Sequence, residues 1–120
     1  MQYLLMIYGN EAALETLTPE EGHAMMKEYE AFTQSIVASG HYRAGERLER
    51  SQAATTVRLK AGQLVTSDGP FAETKEQLGG YYLVEAKDLD EAIRMARRVP
   101  SVRFGGSVEI RPVAPVSRGK

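Results

Sequence analysis

The hydrophobic positions of this chain change period several times, and each change marks an element. Gln2 to Tyr8 sets Tyr3, Leu5 and Ile7 on one side and Leu4, Met6 and Tyr8 on the other. That pattern predicts a strand apolar on both faces, which must be covered on both. From Thr18 the period lengthens to that of a helix. Gly22, Met25, Met26, Tyr29, Phe32, Thr33, Ile36 and Val37 fall on one stripe, with Lys27, Glu30 and Gln34 opposite. Thr18, Pro19 and Glu21 supply the N-cap, a first-turn proline and the capping-box partner, and Gly40 supplies the stop. His41 to Leu48 reads as a more polar second strand, followed by a loop over Glu49 to Ala53. Thr55, Val57 and Leu59 then alternate with Thr56, Arg58 and Lys60, and Ala61-Gly62 turns the chain into Gln63 to Ser67. A β-hairpin is expected there. Tyr81 to Ala86 is a further strand. Asp88 and Glu91 open a second helix with a buried stripe of Leu89, Ala92, Ile93, Ala96 and Val99, and Pro100 ends it. Ser107 to Val113 is the last strand.

The order is β-α-β, a hairpin, then β-α-β, which predicts an α+β fold of ferredoxin-like βαββαβ plan with an extra hairpin and both helices on one face of the sheet. One domain over residues 1–113 and a flexible tail over 114–120 are expected. The helices leave the second apolar face of the first strand uncovered. A homodimer joined through the open sheet face is the simplest cover, since most soluble oligomers are symmetric.

Composition narrows the chemistry. The chain has 120 residues, a length for one domain. Fifteen Lys and Arg stand against sixteen Asp and Glu, a net charge of −1, which argues against direct binding of nucleic acid. There is no Cys and there are two His. Disulfides, thiolate metal sites and cysteine nucleophiles are excluded, and a multi-histidine zinc site nearly so. No metal and no tightly held organic cofactor are expected. No apolar run is long enough to span a membrane, and no basic stretch precedes the first hydrophobic segment. A cytoplasmic protein without a membrane partner is the expectation.

The segment between the hairpin and the next strand carries the most information. Asp68-Gly69-Pro70-Phe71 is followed by Glu73, Lys75 and Glu76 and then by Gly79-Gly80. A loop of this length in a small domain tends to be functional or disordered, and Phe71 is an anchor that favours order. Asp68 reads either as a turn opener, its carboxylate taking backbone N–H groups, or as a general base at a strand end. Glu73, Lys75 and Glu76 read as a solvated charge cluster or as the ion-paired rim of a ligand site. Tyr8, Tyr81 and Tyr82 suit core or interface packing, or a cleft whose ligand their hydroxyls orient. Arg58 and Arg111 could meet a carboxylate ligand or pair internally with Glu73 or Glu109. Gly79-Gly80 is read as a bulge or a close strand approach, not as a phosphate loop. His41, just after a helix end, is given a structural role.

The run from Asp68 to Tyr82 resembles the signature of the DGPF family, a branch of the YCII-related proteins. The resemblance extends to Met6-Ile7-Tyr8-Gly9 with Glu11, Ala54 to Arg58, Asp88 to Ala92, and Val108 to Pro112. It implies a dimeric α+β barrel of ferredoxin-like subunits in bacterial proteins. It also implies a pocket lined by a His and an Asp, with Asp68 as the Asp; His23, at the edge of the polar side of the first helix near Lys27, reads either as a solvent-exposed residue or as the pocket His, and these two are the candidate catalytic residues. From the residue reading above, Tyr8, Arg58, Glu73, Lys75 and Tyr81 are the candidates for binding the ligand. Three functions follow. One is an enzyme using acid–base chemistry on a small metabolite without a cofactor. Another is a ligand-sensing or protein-binding module that acts with an extracytoplasmic-function sigma factor, as the resemblance suggests. The third is a purely structural dimer.

Overall fold

A computed structural model describes residues 1–115. Strand β1 (Gln2–Gly9) leads into a short helix α1 (Glu11–Leu14) and the long helix α2 (Pro19–Ala38). Strand β2 (Tyr42–Arg47), a 3₁₀ turn (Ser51–Ala53), and strands β3 (Thr55–Lys60), β4 (Gln63–Asp68) and β5 (Gln77–Glu85) follow. Helix α3 (Leu89–Ala96), a second 3₁₀ turn (Pro100–Val102) and strand β6 (Ser107–Pro112) complete the order. Beyond 115 the tail expected from 114 onward lies outside the described residues. No helix among the described residues is long and apolar enough to cross a membrane.

Local chemistry sets the helix ends. Thr18 Oγ1 accepts the Glu21 amide at 3.1 Å and the Glu21 carboxylate accepts the Thr18 amide at 2.8 Å, so the expected capping box is formed. Gly40, at φ +83°, reverses the chain after α2. Asp88 caps α3 by accepting the Glu91 amide at 2.9 Å, whereas the Glu91 carboxylate reaches one residue further back, to the Lys87 amide. The apolar stripes are narrower than the periodicity suggests. On α2 only Phe32 and Ile36 are buried, while Met26 and Val37 are exposed. On α3, Met95 is buried, while Leu89, the first residue of the helix, is exposed. Helix α1, unforeseen in the sequence, is a single turn held by Asn10, whose side chain accepts the Ala13 amide at 3.1 Å.

The four-stranded sheet has the order β2-β5-β1-β6 with every pair antiparallel, an arrangement compatible with a ferredoxin-like α+β fold. Residues directly opposite in such a sheet share a face. Leu5 pairs with Tyr82 and Ile110, and Tyr3 with Val84, so these side chains point to the helices with Ile7 and Val108. They form the core with Phe32, Ile36, Ala92, Met95, Ala96 and Val99. Phe32 meets Tyr82 edge-on at 5.2 Å between ring centroids, and the Tyr82 hydroxyl lies 2.7 Å from Thr33 Oγ1. Burial pushes the Tyr82 phenol above its usual range. The other face presents Leu4, Met6, Tyr8, Tyr81 and Leu83, all half-buried, and the helices lie on the opposite side.

In the central segment the loop is shorter than expected, while the glycine pair has the role read for it. Strand β5 begins at Gln77, so Gly79 and Gly80 belong to the sheet and the connecting loop covers only 69–76. Gly80 pairs with Ile7 on one side and Arg47 on the other, and a Cβ there would lie 2.9 Å from the Glu46 carbonyl oxygen. The register shifts between Ile7 and Tyr8, which leaves Gly79 as the extra residue of a bulge. The glycine pair therefore serves strand approach and bulge together.

Strands β3 and β4 pair only with each other and form a separate two-stranded sheet. Ala61 and Gly62, at φ +51° and +80°, turn the corner with the left-handed backbone that a two-residue loop of this kind requires. This ribbon projects from the body as an arm. The radius of gyration is 16.6 Å, against about 13–14 Å for a compact chain of this length.

Candidate functional site

Asp68 is the last residue of β4, opposite Thr55 at the base of the arm. Backbone bonds fix its position. The Gly69 amide donates to the Ala54 carbonyl at 2.7 Å, and Thr56 Oγ1 donates to the Gly69 carbonyl at 2.8 Å. Gly69 itself sits at φ +94°, a conformation that frees the chain to leave the strand sharply. The turn is thus closed by main chain and a threonine. The Asp68 carboxylate is exposed and accepts no hydrogen bond from the described residues, so it is not the turn-closing acceptor that one reading of the sequence expects.

Strand alternation then sorts the neighbours of Asp68. Thr55, Val57, Leu59, Leu64 and Thr66 share its face of the ribbon, and Arg58 and Val65 stand on the other. Arg58 lies over the ring of Phe71 at 5.4 Å, a cation–π contact that ties the loop to the back of the arm. Neither Glu73 nor Asp68 pairs with Arg58 among the described residues. Glu73 and Lys75 are exposed in the loop, and no ion pair among the described residues joins them to each other or to Asp68. Arg111 takes the internal alternative and pairs with Glu109 at 2.5 Å, which raises the guanidinium pKa further.

Tyr8 and Tyr81 both stand on the sheet face turned away from the helices. Tyr81 pairs with Met6, which places it diagonal to Tyr8, within reach of a shared ligand. His23 is exposed on α2, in the layer on the other side of the sheet, and no hydrogen bond or ion pair among the described residues joins it to another candidate. His41 has the structural surroundings expected of it. Its Nδ1 lies 2.6 Å from Ser39 Oγ and its Nε2 3.4 Å from Glu91. No group of three or more His, Cys, Asp or Glu among the described residues is placed to hold a metal ion.

A polar clasp that sequence reasoning missed organises the end of the sheet next to the loop. The Glu11 carboxylate accepts the Ser51 amide at 2.7 Å and the Ser51 hydroxyl at 2.6 Å, and these bonds hold its carboxyl below the usual range. Gln77 accepts the Glu11 amide at 2.9 Å and donates to the Thr74 carbonyl at 2.6 Å. Ser107 Oγ donates to the Glu76 carboxylate at 2.9 Å. Glu76, read from sequence as part of the charge cluster, thus fastens the loop to β6. The only sequence signal was the isolated Glu11 and the amide Gln77 just after the acidic run, neither of which has a distinctive spacing.

Comparison with known proteins adds the family context. Residues 1–117 match the family model described as YCII-related domain. A protein of Rhizobium meliloti (strain 1021) described as uncharacterised is 37% identical over 121 residues, an alignment covering 100% of this chain and 98% of the relative.

Proposed function

The chain belongs to the YCII-related family, and from that membership and the placement of Asp68 we propose that it is a small-molecule-binding protein with acid–base activity, its site closed by a second copy of the chain. The observation that carries this reading is the Asp68 carboxylate, held at a fixed place by its backbone yet unengaged by any described donor. A structural aspartate at a turn normally spends its oxygens on nearby N–H groups. One left free at a strand end is available to take a proton from a ligand.

The remaining parts fit such a site. Tyr8 and Tyr81 offer phenolic hydroxyls beside Leu4, Met6 and Leu83, an apolar centre flanked on the same face by the Glu109–Arg111 pair of β6 and by Glu46 of β2, a setting for orienting a small polar or aromatic metabolite. In the isolated chain this floor has no roof. A second copy laid on it would exclude water, and a carboxylate enclosed by apolar walls is a better proton acceptor than one in water. Asp68 would accept the proton while a tyrosine hydroxyl donates to the ligand oxygen on which charge develops. Glu73 and Lys75, on the loop that follows Asp68, would form the polar rim.

The test is a thermal-shift screen of small carbonyl-bearing and phenolic metabolites against the wild-type chain, followed by titration of each stabilising compound into Asp68→Asn. Compounds that raise the wild-type Tm but not that of Asp68→Asn, whose own Tm is unchanged, support the reading. Equal stabilisation of both proteins by every such compound overturns the role given to Asp68.

A further inference from the structure

The arm formed by β3 and β4 has one face with no partner. Val57, Leu59 and Leu64 point the same way and are 63%, 68% and 79% exposed, an apolar run at the far end of a polar-edged ribbon. A lone two-stranded hairpin is marginally stable in water, so an apolar face of this kind implies a surface to rest on. The chain as a whole exposes more area than a compact one of its mass. Its accessible surface is 8599 Å², whereas a compact chain of 13.3 kDa exposes about 6,500 Å². The excess, about 2,000 Å² per chain, is in the range that obligate homodimers bury.

The chain itself offers the complementary surface. At its centre the uncovered face of the four-stranded sheet carries Leu4, Met6 and Leu83, with Glu109 and Arg111 of β6 and Glu46 of β2 on its flanks. The arm pairs with no strand of that sheet, and its apolar face is bare rather than folded back onto its own body. Two unpartnered apolar surfaces on one chain satisfy each other in a two-fold pair, where each copy gives and receives the same contact.

We infer that the β3–β4 arm is a clasp that seats Val57, Leu59 and Leu64 on the bare sheet face of a second copy, and that it thereby carries Asp68, on the same face of the arm, to the Tyr8 and Tyr81 of that copy. The site is then composite, with the proton acceptor from one chain and the orienting hydroxyls from the other. This inference rests on the reading that a second copy closes the site, and it adds which segment reaches across and which residue it delivers. It also accounts for the split between Asp68 and Arg58. The front of the arm faces the other copy, and the back is held by Phe71 of its own loop.

The natural absence of cysteine makes the test clean. Leu59→Cys and Met6→Cys are made as separate chains, mixed, refolded together and treated with a short bis-maleimide. Asp68→Cys and Tyr81→Cys form a second mixed pair. The inference expects a two-chain product containing one of each partner in both mixtures, in at least fivefold excess over a mixture of Leu59→Cys with a cysteine on the exposed side of α2, such as Gln34→Cys. Hetero-linked product from the first mixture alone overturns the delivery of Asp68. Absence of hetero-linked product from the first mixture, in protein that sediments as two chains, overturns the clasp while leaving the second-copy reading intact. Protein that sediments as one chain overturns both. A double variant Leu59→Cys/Met6→Cys that links within one chain also overturns the clasp, because the arm would then lie on its own sheet.

Discussion

Asp68 and Arg58 lie on the same two-stranded ribbon but on opposite faces of it, because Arg58 stands opposite Val65, and Asp68 is three positions further along the same strand. The acid is left free on the apolar face and the base is stacked on Phe71 behind it. Among the described residues Arg58 forms no ion pair, neither with Asp68 nor with the Glu73 that the sequence offered as its partner. The separation gives the two residues distinct jobs, one toward a ligand and one toward the protein's own loop.

The stability of the turn should not depend on the carboxylate. Asp68→Asn is expected to change unfolding free energy by less than about 0.5 kcal/mol, as for a surface substitution that breaks no contact. Gly69→Ala is expected to cost about 1 kcal/mol or more, because alanine must adopt φ +94°. Urea denaturation of the two variants checks both. A large loss in Asp68→Asn would mean that the carboxylate closes the turn after all.

The clasp around Glu11 makes an acid-sensitive contribution. Bonds from the Ser51 hydroxyl and amide lower the folded-state pKa of Glu11 below that of the unfolded chain. The stabilisation is present in full above the unfolded carboxylate value of about 4.3. It is lost as pH falls from there through the lowered folded value. In Glu11→Gln, the decline of stability on acidification below about pH 5 should be shallower than in the wild type. Parallel acid limbs for the two proteins in urea melts between pH 3 and pH 7 would remove Glu11 from this role.

Thr33 and Tyr82 share a hydroxyl pair under the sheet at 2.7 Å. Thr33→Val is expected to destabilise by about 1–2 kcal/mol, since it leaves the Tyr82 hydroxyl without its partner, and Tyr82→Phe by less, since Thr33 Oγ1 keeps its 2.9 Å bond to the Tyr29 carbonyl. The double variant should lose less than the sum of the two. Additive losses in a double-mutant cycle would show that the two hydroxyls do not interact.

The long helix was legible in the sequence almost to the residue, because Thr18, Pro19, Glu21 and Gly40 are local signals that need no tertiary contact. The two-sided apolarity of β1 likewise announced a face that the helices leave open. What could not be read were features set by neighbours distant in the chain. Gly79 and Gly80 were legible as a bulge or a close strand approach, but that they lie inside β5, and that the close approach falls at 80, required β1 and β2 to be placed on either side of them. Met95 is buried and Leu89 exposed, a choice that the helical period alone does not make. The candidate site was half legible. Asp68 stood out by its Gly-Pro context, but its separation from Arg58 required the β3–β4 register. The clasp of Glu11, Ser51 and Gln77 joins residues up to 66 positions apart and left no periodic trace.

The central claim, that the bare face of the sheet is completed by a second copy, is tested most directly by sedimentation equilibrium of the wild-type chain and of Met6→Glu between about 1 and 100 µM, a range that brackets a standard-sized homodimer interface. The account predicts twice the chain mass for the wild type and a single-chain mass for a still-folded Met6→Glu, because a charge buried without a partner opposes the contact. A wild-type protein that remains a single chain across that range would contradict it.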